Sequence, residues 1–336
     1  MIELSFAPLG WYERLNQLQP NPFLDTAIKM IADPQTDKQQ WETTLRLFQA
    51  ACQALDKPIV EAYYLTKASQ AVAGRDDWLK AAELVDKGLK TLKEKHEHLA
   101  ILEWIGGAID WNLRNGYAGC KHWQQAEETM EAAEKNAMRS QQEDRVMMIR
   151  ECLKDMKRWI IEITASVEGG YLLINQYQKS RLTHNTSDLI QLMKKVLKSD
   201  QSKKAYQIIE LLKMSSFVLG EYPEVMVECA LAAYRLGDLE ETILCLRMAK
   251  AKYAVNRENL AATLWMLGSV FWQMESGTKN AVESWTSCQE QLTNLVSDLD
   301  RVNSKQNREK KILYEYLLVI LKLVTETRVE AYGKKV

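Results

Sequence analysis

Proline is almost missing from this chain after its first sixth. Pro8, Pro20, Pro22, Pro34 and Pro58 fall within the first 58 of 336 residues, and only Pro223 follows. A proline inside a helix costs about 3 kcal/mol, so long proline-free stretches suit unbroken helices. Strand signals are equally scarce. No segment alternates polar and apolar with β-branched residues, and the one hairpin-type Asn-Gly, Asn115-Gly116, follows a helical pattern where glycine marks a stop. The expected fold is therefore all-α. Charge of either sign is not in excess, with 44 basic against 45 acidic residues, so no net field attracts nucleic acid or an anionic membrane. The most apolar run, 316–324, is interrupted by Lys322 and is too short to span a bilayer. The first residues lack the basic and apolar regions of a signal peptide. Six scattered cysteines (Cys52, Cys120, Cys152, Cys229, Cys245, Cys288) form no CxxC pair, which suits buried thiols in a reducing compartment. A cytoplasmic protein is expected, with no membrane contact and no direct nucleic-acid ligand.

Frameworks for catalysis and cofactors are missing too. There is no GxGxxG before a strand, no GxxxxGK[ST], no GxSxG and no HExxH. Histidines number four, and Cys120-x-His122 with His96 or His98 matches no standard zinc spacing. Glu127, Glu128, Glu131 and Glu134 share one helix and read as a solvated acidic face rather than as catalytic carboxylates. No catalytic residue, metal ligand or cofactor is expected.

What the sequence does contain is helical punctuation. Asp37 suits the N-cap of a helix over 39–55, and Asp76 or Asp77 suits that of a helix over 78–93. A loop is expected at 115–120, between helices over 99–114 and 122–139. Further helices are expected over 143–167, 171–181, 187–198, 202–219, 223–236, 239–253, 259–274, 279–295 and 307–332. Gly169-Gly170 should end or bend the first of these. The resulting divisions are a proline-punctuated helical segment over 1–58, hairpins over 59–140, an irregular connector over 141–200, hairpins over 201–298 and a C-terminal capping helix within 299–336.

One spacing occurs twice. Trp104, Gly107 and Trp111 repeat the intervals of Trp265, Gly268 and Trp272. Each set precedes a second helix with residues at fixed offsets: Ala126, Met130, Ala133 after the first set, and Ala281, Trp285, Cys288 after the second. Large and small residues alternating in this way suit helix hairpins that stack on copies of themselves. The stretch from Leu264 to Phe271, with Leu267-Gly268, resembles the first helix of a tetratricopeptide repeat. Ala281, Trp285 and Cys288 are similar to the small–aromatic–small triplet of that motif's second helix. The triplets are spaced more widely than the family's 34 residues and lack its terminal proline.

The resemblance implies a right-handed superhelical array of antiparallel hairpins whose first helices line a concave groove. On that register Trp265, Ser269 and Trp272 face the groove, as do Trp104 and Trp111 in the earlier copy and Tyr234 in the hairpin between. Accessible aromatics on a rigid wall make efficient hot spots. The expected function is a non-catalytic adaptor that binds another protein or a peptide segment. A ligand-gated regulator, closing on a peptide or small molecule and controlling an effector, is the alternative.

Overall fold

The computed structural model describes residues 2–16, 20–55, 57–92, 96–113, 115–166, 169–170, 184–199, 201–219, 222–299 and 304–333. Among these residues there is no strand, and the chain is all-α. It divides into two compact units, residues 1–163 and 164–336.

The first unit opens with α1 (Ile2–Ser5), α2 (Leu9–Asn16), α3 (Pro22–Ala32) and α4 (Lys38–Gln53). These starts are written in the sequence. Asn21 accepts from the amides of Phe23 and Leu24, with Pro22 at the first helical position, and Asp37 accepts from Gln40 at 2.9 Å. Arg75 lies over the Trp41 ring and donates to the carbonyls of Ile31, Asp33 and Thr36, so it satisfies groups at and just beyond the end of α3. Then α5 (Pro58–Ala73) pairs with α6 (Trp78–Thr91), and α7 (Glu97–Asn112) with α8 (Gly116–Arg139); α9 (Glu143–Thr164) closes the unit and its last residue opens the next. Asp77 is the N-cap of α6, while Asp76 takes a positive φ of 65° in the turn before it.

The expected loop at 115–120 is not one. Asn115 accepts from Ala118 at 3.4 Å, and a continuous helix begins at Gly116. A strong local turn signal is overridden by packing: a Cβ on Gly119 would sit 2.9 Å from the Gly107 carbonyl oxygen, so glycine here permits close approach of two helices.

In the second unit α10 (His184–Lys198) packs on α11 (Ser202–Leu219), α12 (Tyr222–Arg235) on α13 (Leu239–Lys252), and α14 (Arg257–Gln273) on α15 (Thr278–Leu299). A final helix, α16 (Lys305–Gly333), packs on α15 through Leu313, Leu317, Ile320, Leu321 and Val324, all buried. Gly237, at φ 80°, turns the chain from α12 into the Asp238 cap of α13. The helix expected over 171–181 lies outside the described residues.

Candidate functional site

The duplicated tryptophans build the centre of each unit. In the first, α7 is apolar nearly all round, and such a helix is stable only when covered on every side. Helices α6 and α8 cover two sides. Tyr12 meets His98 at 4.7 Å, Asn112 donates to Ser5 at 3.1 Å, and Trp159 of α9 stands edge-on to Trp104 at 6.0 Å. Trp104 and Trp111 each retain 1% of their exposure. In the second unit, residues 261–271 of α14 are buried without interruption. Trp265 is fully buried, and its indole N–H donates to the Thr164 carbonyl at 2.8 Å. Gly170 presses on the same helix, where an added Cβ would lie 2.5 Å from Met266 Cγ and 2.8 Å from the Ala262 carbonyl oxygen.

The expected groove exposure is therefore corrected for four residues. Trp104, Trp111 and Trp265 are core, and Ser269 is 3% exposed, with its hydroxyl donating back to the Trp265 carbonyl at 3.0 Å. The faces assigned to an open wall are filled by the chain's own segments. An indole buries roughly 150–250 Å², worth about 4–6 kcal/mol at ~25 cal/mol per Å² before conformational entropy is subtracted, so covering these faces outweighs leaving them wet. The signal was present in the sequence: both helices are too uniformly apolar to have a solvent side. Trp272 and Tyr234 do reach the surface, each half-buried. Tyr234 accepts from Gln273 Nε2 at 2.9 Å, and Arg328 of α16 lies over the Trp272 ring at 5.1 Å.

Sequence spacing also misplaced the second-helix register in the first copy. Trp123, not Met130, covers Gly107: a Cβ there would meet the Trp123 ring at 2.7 Å. Trp285 covers Gly268 in the same way, closer still. Trp123 tilts 34° against Trp111 at 5.5 Å, and Trp285 tilts 34° against Trp272 at 5.9 Å. The equivalent triplets are thus Gly119, Trp123, Ala126 and Ala281, Trp285, Cys288. The first matches the second only when glycine is admitted as its small residue.

Accessible surface that could hold a partner lies elsewhere in the second unit. Ile243, Leu244 and Arg247 of α13, with Phe271 and Met274 at the end of α14, line a pocket of about 290 Å³. Leu244 is 48% exposed, and the Arg247 guanidinium lies 5.6 Å above the Phe271 ring without an ion pair among the described residues. A second cavity, of about 500 Å³ in the first unit, mixes charged and apolar lining, with Pro20 and Ile28 among its walls. Glu13, Asp25, Lys29, Tyr63, Tyr64 and Lys67 line it. There Tyr63 donates to Glu13, and Lys67 pairs with Asp25 at 3.1 Å.

The thiols are all free and buried, and burial pushes every one above its ordinary pKa, which disfavours the nucleophilic thiolate. Among the described residues no three His, Cys, Asp or Glu side chains are placed to hold a metal ion. His122 Nε2 instead lies 3.6 Å from Asp110, and burial lowers the His98 pKa to about 4. No described helix is long and apolar enough to cross a membrane. In comparison with known proteins, no family model matches this chain and no curated protein matches it.

Proposed function

We propose that the chain is a non-catalytic adaptor that holds a segment of another protein on stacked helix hairpins of tetratricopeptide type. The observation that carries the reading is the accessible pocket of Ile243, Leu244, Phe271 and Met274 beside Arg247, which has no ion pair among the described residues. An apolar side chain of the partner fills the pocket, and an acidic group next to it meets the guanidinium. Such an arrangement joins a desolvated apolar anchor to a charge that sets orientation. Helices pairing with their chain neighbours throughout the second unit favour a right-handed superhelical array there, with α16 closing its end. Six buried free thiols favour the reducing cytoplasm.

Affinity capture from native lysate by wild type, Leu244→Asp and Arg247→Glu, read by quantitative mass spectrometry, tests this. Both positions are exposed, so circular dichroism should be unchanged. One protein retained by wild type and depleted by both variants supports the adaptor. Equal retention moves the interface off this pocket and sinks the assignment.

The ligand-gated alternative has one observation of its own, the cavity of about 500 Å³ in the first unit, which charged side chains line together with apolar ones. Its size suits a small polar molecule. A thermal shift produced by a metabolite extract in wild type, and lost in Lys29→Glu, would favour it.

A further inference from the structure

Helix α16 has two apolar faces, and α15 covers only one of them. Ile312, Val319 and Leu323 are 38%, 54% and 38% exposed, and Tyr316 is half-buried between them. Their spacing, four, three, four, is that of a coiled-coil seam. At 100° per residue this stripe stands roughly a third of a turn from the buried stripe of Leu313, Leu317, Ile320, Leu321 and Val324. A helix that served only to close an array would present polar residues on this side.

We propose that the exposed stripe is a self-association seam on which a second copy of this chain packs antiparallel through its own α16. The charges choose the occupant and the direction. Glu315 and Lys322 flank the seam one heptad apart, and both are exposed; Glu315 lies 3.7 Å from Lys311 of its own helix, and Lys322 has no ion pair among the described residues. In an antiparallel pair that sets Ile312 against Leu323 and Tyr316 against Val319, Glu315 of one copy lies beside Lys322 of the other. Two-fold symmetry makes that contact twice. A parallel pair would bring each Glu315 towards the opposite flank of the seam, where Leu313 and Ile320 are buried on α15, and so forms no such contact. One short seam buries less than a permanent dimer does, so association should be weak and concentration-dependent.

Sedimentation of the full chain from about 1 to 200 μM at low salt measures it. We expect a monomer–dimer equilibrium. Leu323→Glu should raise its Kd by at least about tenfold, with an unchanged circular dichroism spectrum. Glu315→Lys should raise it about three- to tenfold, and Glu315→Lys with Lys322→Glu should restore it to within about twofold. A monomer at every concentration overturns the proposal, and so does a dimer indifferent to Leu323→Glu. Failure of the charge exchange to restore association overturns the antiparallel arrangement.

Discussion

The two units solve one packing problem with opposite hydrogen bonding. In each, an indole from the second helix sits on a glycine of a buried first helix, at the same 34° tilt to a tryptophan one turn along. In the first unit the covering indole is satisfied, since Trp123 Nε1 donates to the Trp104 carbonyl at 3.1 Å, while the Trp104 N–H has no acceptor among the described residues. In the second the covered helix has the bond: Trp265 donates to Thr164, and the Trp285 N–H has no acceptor among the described residues. The shared element is the shape, a large ring over a missing side chain. The polar bond is taken up wherever a carbonyl happens to be near, which suits the small net worth of one hydrogen bond beside a buried indole.

The largest expected effect tests the shared part. Trp104→Ala and Trp265→Ala should each cost about 3–5 kcal/mol in denaturant unfolding; a loss under 1 kcal/mol at either would mean an accessible indole and break the comparison. Replacement by Phe should separate the two. Trp265→Phe removes the indole's hydrogen bond to the Thr164 carbonyl and should cost about 1 kcal/mol more than Trp104→Phe, which removes an N–H that has no acceptor among the described residues. Next come the glycines. Gly107→Ala and Gly268→Ala should each destabilise by about 1–3 kcal/mol, with Gly268 the worse because its approach to the covering ring is tighter. Equal tolerance of alanine at both would show that the rings shift freely.

The smallest effect sharpens a difference, since among the described residues the shifted acids and histidines lie in the first unit. Burial keeps His98 neutral there, lowering its pKa to about 4, so its contribution is lost as pH falls from about 6.5 to 4. Burial, with Asp86 adding, raises Asp110 to about 6, so its contribution runs the other way: stability falls as pH rises from about 4 to 6. The two oppose each other in wild type, and His122, whose pKa burial also lowers, adds to the His98 side. Asp110→Asn should therefore unmask acid destabilisation, seen as a lower Tm at pH 5 relative to pH 7 than in wild type. No change in that difference would remove Asp110 from the balance.

The helix caps were legible because they are local. Asp37 and Asp77 each accept from an amide three residues on. The duplicated tryptophan spacing also marked the two helices that matter most for packing. The register between helices was not legible, because a glycine can stand for an alanine when backbones must touch, as Gly119 does against Gly107. Nor could spacing reveal the pocket beside Arg247. Its walls come from the side of α13, the end of α14 and the turn after it, and sequence places none of these against another.

By itself, then, the sequence determined that this chain is helical, where most helices begin, and that two of them share a duplicated tryptophan spacing. Those properties follow from dihedral limits, capping and periodicity, which act over a few residues. Only the tertiary structure decided what covers those helices. Burial is a relation between segments far apart in the chain, so the tryptophans that read as a groove became core when residues such as Tyr12, Trp159, Thr164 and Gly170 closed over them.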